Sequence, residues 1–278
     1  MTTSAPTIAA TRRAVAAVPA GPSRAAAFAA LMRRDLRVAV RELPFTLVRT
    51  LMQPLLFVVV FGYLLPKMGF VRGNYGAAML PGILAISLTM SSVQSVALPM
   101  VADFGWTREI EDRLLAPIPS GLLVAQKIVA GALQGVLGAL VVFPLARLLM
   151  GPIDGLTLSH FGVALVVTLL GAATFSALGL WMGTAISPQQ VGLMFSVIIA
   201  PMIFFGCAYY PWRGLSTVPA MQVAVLVNPL VYVAEGMRGT LTPSIPHMPL
   251  VVVVLALVGL LALFSFLGTR AFMRRAFQ

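Results

Sequence analysis

The chain has 278 residues, of which 59% are hydrophobic and 10% charged, with 24 glycines, 20 prolines and a formal net charge of +11. About a quarter of a soluble domain is charged, so this composition excludes one and indicates an integral membrane protein built of helices. The positive charge does not point to nucleic acid, because the basic residues mostly stand at the edges of apolar runs, where they set orientation; the single cysteine, Cys207, excludes an internal disulfide and any multi-cysteine metal site.

Residues 1–24 are rich in Ala, Thr and Pro without an apolar core and read as a disordered cytoplasmic tail. Arg12-Arg13 hints at a twin-arginine signal, but the stretch after it contains Pro19 and is too weakly apolar to act as one. Over 25–43 the pattern changes. Arg33, Arg37 and Arg41 stack at i, i+4 with Arg34 beside them, while Phe28, Leu31, Met32, Leu36, Val40 and Leu43 gather opposite. This predicts an amphipathic helix in the inner interface, its arginines toward anionic headgroups, before Pro44 turns the chain into the membrane. A merely basic juxtamembrane flank is the simpler alternative, since Asp35 and Glu42 intrude on the apolar side.

Six apolar runs approach the roughly 20 residues needed to cross about 30 Å of hydrocarbon: 45–65, 77–100, 122–150, 161–186, 191–210 and 249–269. Within the first two, Gln53, Ser91 and Gln94 either line a substrate path or bond across helices, and Phe204 of the fifth run is a further candidate for that path. The Gly-x-x-x-Gly pairs Gly131/Gly135 and Gly179/Gly183 allow close helix approach, within the chain or to a second copy. Phe204, Phe205, Tyr209, Tyr210 and Trp212 cluster at the outer end of the fifth run, as an interfacial belt or an outer gate. A seventh run, 218–233, is short and broken at Asn228-Pro229; region 217–236 therefore reads as re-entrant outer helices, and Asn228 and Pro229 join the candidate gate. With six spans and both termini cytoplasmic, 14 of the 19 basic residues lie inside.

Between the second and third runs lies a charged segment. Read as a helix over 107–115, it pairs Arg108 with Asp112 and Glu109 with Arg113 at i, i+4, while Ile110 and Leu114 form an apolar stripe and Glu111 adds a further charge. Pro117 and Pro119 stop it. A plain connection could be far shorter, as Ser187-Pro188-Gln189-Gln190 shows.

These residues carry a resemblance. Arg41-Glu42, Gln53-Pro54, Met79-Leu80-Pro81-Gly82, Arg108-Glu109 through Pro119, and Asn228-Pro229-Leu230 resemble, in order and spacing, the permease subunits of type-2 ABC exporters of the daunorubicin-resistance type. The resemblance covers about Arg33 to Arg275 and implies an all-α, six-span permease of the cell (inner or plasma) membrane that exports an amphiphilic drug, lipid or glycolipid. It implies that Arg108, Glu109, Ile110, Glu111, Asp112, Arg113 and Leu114 form a coupling helix seated in an ABC ATPase. It also implies two such ATPases per complex, holding ATP and Mg, and a second permease subunit, identical or homologous. The chain itself shows no Walker glycine-lysine pattern, since Lys67 is followed by Met68 and Lys127 is preceded by Gln126; no cofactor or metal is expected on it. An ion-coupled transporter would need ionisable groups at mid-membrane, and the predicted spans hold no carboxylate. A membrane enzyme would need a nucleophile with its base or a metal cluster, and His160 and His247 both fall toward the outer face.

Overall fold

The computed structural model describes residues 24–70, 75–105 and 119–276, which are helical apart from connecting turns and contain no strand. Helix α1 (Arg24–Phe57) continues through a π-helical segment, Val58–Leu64, to Lys67. It is followed by α2 (Tyr75–Gly105), α3 (Ser120–Met150), α4 (Phe161–Ala185), α5 (Pro188–Phe204), α6 (Pro219–Val227), α7 (Pro229–Leu241) and α8 (Leu250–Ala276). Four of these, α2, α3, α4 and α8, are long and apolar enough to cross a membrane. Shorter apolar helices, Met52–Lys67 and Pro188–Phe204, occupy the stretches expected as the first and fifth spans.

Helix α2 is the axis of the bundle, buried almost continuously from Met79 to Ala97, with α3, α4 and α7 packed around it. Lipid tails are as apolar as leucine, so helices associate in a membrane by close packing, and small residues mark where backbones approach. A Cβ at Gly135 would lie 1.9 Å from Ser92 Oγ and one at Gly138 2.1 Å from Ser91 Oγ, so α3 seats the serines of α2 in glycine notches. On α4, a Cβ at Gly183 would lie 2.6 Å from the Ala97 carbonyl oxygen. Both Gly-x-x-x-Gly pairs therefore serve packing on α2 within the chain. Helix α8 packs on α4, with Trp181 stacked on Phe264 at 6.2 Å, and turns Val251, Leu255 and Phe266 outward.

Two boundaries differ from expectation. Helix α1 carries helical structure through Pro44, where a turn was expected. Proline removes one backbone donor, a local loss that a helix supported on both sides absorbs. Helix α5 ends at Phe204, not Tyr210: Phe205 leaves the helical region at φ −91°, ψ 11°, and Cys207 adopts the left-handed φ of 53°. Phe205, Tyr209 and Tyr210 therefore do not share the face that a continuing helix would give them.

Candidate functional site

Helices α6 and α7 meet at Asn228 with their axes bent by 101°. The sequence dictates the break: Pro229 occupies the first position of α7, where its missing donor costs nothing, and Asn228 caps the helix through a 3.0 Å bond from the Leu230 amide to its Oδ1. The same side chain donates from Nδ2 to the Met202 carbonyl at 2.7 Å, fixing the start of α7 to the last turn of α5.

From this anchor α7 runs into the protein, burying every residue from Val233 to Thr240. Among them are Glu235 and Arg238, an ion pair one helical turn apart with neither side chain exposed. The guanidinium donates from Nη1 to Glu235 Oε1, from Nη2 to the carbonyls of Cys207 at 2.9 Å and Ala78 at 3.2 Å, and from Nε to Ala78 at 3.3 Å. The carboxylate accepts from the Trp212 amide at 2.9 Å on Oε1 and from the Met248 amide at 2.8 Å on Oε2. One pair thus joins α7 to the start of α2, to the irregular chain after α5, and to the segment before α8. The Cys207 carbonyl and the Trp212 and Met248 amides have no partner within a helix, and apolar surroundings make each costly to leave unpaired.

Two small residues admit this arrangement. A Cβ at Gly82 would lie 1.8 Å from the Ala208 carbonyl oxygen, and one at Gly206 would lie 2.4 Å from Leu230 Cδ2. Pro81 meanwhile leaves the Ala77 carbonyl without its usual donor four residues on, loosening the first turns of α2 where Arg238 reaches the neighbouring Ala78 carbonyl. The motif Met79-Leu80-Pro81-Gly82 thus has a local purpose: it makes α2 open enough to receive the turn 206–208.

The candidate gate residues separate. Tyr209 turns inward onto Phe57 and Phe61, ring centroids 5.0 and 5.7 Å apart, tying the turn to the π-helical end of α1. Tyr210 is half-buried and donates to the Phe204 carbonyl at 3.3 Å. Phe204 and Phe205 face outward, 57% and 46% exposed. Asn228 and Pro229 are the hinge already described. Of the candidate path residues, Ser91 and Gln94 are buried within the bundle and Gln53 is half-buried on α1.

The candidate coupling residues Arg108 to Leu114 lie outside the described residues, but their flanks do not. A Cβ at Gly105 would lie 2.3 Å from Pro188 Cγ, so the end of α2 is pressed against the start of α5. Asp35 of α1 accepts from Gln126 Nε2 at 2.9 Å and pairs with Lys127 at 3.1 Å, joining α1 to the second turn of α3. Arg275 of α8 donates to the carbonyls of Thr184 and Ile186 at the end of α4, where cations suit the helix dipole, and lies over the Phe104 ring. Among the described residues no group of acidic, histidine or cysteine side chains could hold a metal ion.

Sequence reasoning missed the buried pair, because Arg238 passes for one more loop cation. The available signal was Glu-x-x-Arg, spaced to pair on one face, inside a run otherwise of apolar and small residues. It also read Asp35 as an intrusion, where the structure makes it the partner of Lys127.

The family model described as ABC-2 type transporter matches residues 26–242. The chain is 27% identical over 208 residues to the inner membrane transport permease YadH of Escherichia coli strain K12, covering 69% of this chain and 75% of that protein. It is 29% identical over 219 residues to the putative transport permease ycf38 of Cyanophora paradoxa, covering 74% and 71%. No solved structure gives a significant match.

Proposed function

The chain belongs to the ABC-2 type transporter family as a membrane permease subunit, and from that premise we propose that it moves an amphiphilic small molecule, drug or (glyco)lipid out of the cell. The energy comes from ATP and Mg held by two partner ATPase subunits. A two-ATPase engine is two-fold, so this chain supplies one membrane half and a second permease, identical or homologous, supplies the other. The observation that carries this reading is the family match from residue 26 to residue 242, which spans the charged segment Arg108 to Leu114.

On this reading the segment is the coupling helix, and the clamps around it explain how a push is transmitted. Closure of the ATPases moves residues 106–118. The Asp35–Lys127 pair and the Arg275 cap make α1, α3, α4 and α8 follow rather than flex. The bundle thereby shifts between inward and outward access, provided that ATP and cargo bind the two states with different affinity. Phe204 and Phe205 face the second permease and close the exit.

Co-reconstitution with the ATPase tests the engine. Wild type is expected to show ATP-dependent cargo movement, and E109K/E111K to insert normally yet lose co-purifying ATPase on the order of ten-fold, since rim charges govern recognition more than folding. Unchanged co-purification and unchanged cargo-stimulated hydrolysis would remove the coupling role. Movement driven by an ion gradient without the ATPase would instead favour a secondary transporter, and turnover by the isolated chain an enzyme.

Topology has its own test. With six spans and both termini cytoplasmic, α6 and α7 form a re-entrant pair whose exposed flanks, Thr217 and Ser244, lie on the same outer side. Single cysteines at T217C and S244C in a C207A background should both react with an impermeant thiol reagent from outside. Labelling from opposite faces would make α6 and α7 a seventh span.

A further inference from the structure

We propose that Arg238 is a positioning residue for the exit: it holds the end of α5, where Phe204 and Phe205 stand, to the open first turns of α2 and to α7, so that the three move as one body when the exit opens. The proposal rests on the export reading and adds to it the side chain that links the gate to the bundle.

The argument begins with what residues 205–211 lack. This stretch is irregular, its Cys207 carbonyl is buried, and no helix supplies that carbonyl with a donor. Burial keeps solvent from that carbonyl, so a donor must come from the protein. Arg238 provides it, and the same guanidinium reaches Ala78 on α2 with two nitrogens. A planar fork of five donors can hold carbonyls on two separate segments at fixed separation; an ammonium can satisfy one point but cannot set that geometry. Glu235 completes the device. It neutralises the guanidinium and fixes its rotation, while its second oxygen holds Met248 at the approach to α8.

The consequence is mechanical. The end of α5 cannot leave α7 without orphaning the Cys207 carbonyl and uncovering a buried cation, so the two arrangements available are joined or broken, with little between. Tyr209 extends the same body to Phe57 and Phe61 of α1. A displacement begun at the far end of α2 therefore arrives at Phe204 and Phe205 through Arg238, and one begun in α1 arrives through Tyr209.

The test uses the full complex, with labelling read on F205C as reporter in a C207A background and with hydrolysis and export per ATP read in complexes that keep Phe205 and Cys207. Unmodified at position 238, the complex should show F205C labelling by an impermeant thiol reagent that changes between ADP and a trapped ATP state. R238K keeps the charge and loses the fork; it should label alike in both states, continue to hydrolyse ATP, and export about ten-fold less cargo per ATP, the signature of a broken conformational step. Nucleotide-dependent labelling with normal export per ATP in folded R238K would overturn the proposal. Should R238K fail to fold, E235Q supplies the reading, because it keeps an acceptor for Trp212 and a neutral neighbour for the guanidinium. Uncoupling in folded E235Q supports the proposal, whereas normal coupling in it, or failure of both variants to fold, reduces the pair to a structural role. If the complex with native Arg238 moves no cargo with ATP, the export reading fails whatever the variants do.

Discussion

Replacing Glu235 with alanine is expected to remove most of the folded permease from the membrane. The change leaves the Arg238 guanidinium buried without its counter-ion, a situation that costs about 3–5 kcal/mol. It also orphans the amides of Trp212 and Met248, each adding roughly 1–3 kcal/mol when buried. The sum rivals the total stability of about 5–15 kcal/mol typical of a domain. Size-exclusion profiles of detergent-solubilised protein should lose their monodisperse peak, and surviving material should melt well below wild type. The double variant E235A/R238M separates charge from backbone support. An isolated ion pair replaced by apolar groups is often neutral, but here the Cys207 carbonyl and the Trp212 and Met248 amides would lose their partners too. The double variant is therefore expected to recover little. Full recovery would show that the pair answers only to itself.

How far the fold was legible follows from which physical demands leave a mark in one dimension. Hydrocarbon thickness demands length, so α2, α3, α4 and α8 announce themselves as long apolar runs. A proline next to a capping asparagine demands a break, so the bend at Asn228 could be read directly. The end of α5 left no such mark: aromatic residues continue past Phe204, and the backbone at Phe205 and Cys207 shows that the helix has stopped. The spacing of Gly131 with Gly135, and of Gly179 with Gly183, fits an internal or an external partner equally. Which applies depends on where Ser92 and Ala97 of α2 lie. The charged pairs are the instructive failure. Asp35 on an apolar face reads as an intrusion and Lys127 as one more inner cation near a span end, although opposite charges that both stand in apolar stretches invite pairing. Glu235 and Arg238 stay hidden because Arg238 counts as one more outer cation when orientation is read from charge. Burial of α7 among α2, α4 and α8 is a tertiary fact, and the charges acquire their meaning only from it.

Replacing Gly82 with alanine is the smallest change with a large expected effect. The added carbon would lie 1.8 Å from the Ala208 carbonyl oxygen and 2.4 Å from the carbon bonded to it, both backbone atoms that no rotamer change can move aside. Either α2 or the turn 206–208 must shift, and Arg238 holds both, through Ala78 and Cys207. Overpacking of a filled core costs about 1–3 kcal/mol, and the upper end or more applies where backbone meets backbone. Helix propensity works the other way, alanine being favoured over glycine by up to about 1 kcal/mol inside a helix. The clash outweighs it, so G82A should melt lower than wild type. The control is G259A on α8, where a Cβ would meet nothing within 4 Å. There the propensity gain stands alone, and the variant should melt at or slightly above wild type. Equal melting of G82A and G259A would mean that α2 and the turn after α5 do not touch, and the seat of the buried pair would have to be redrawn.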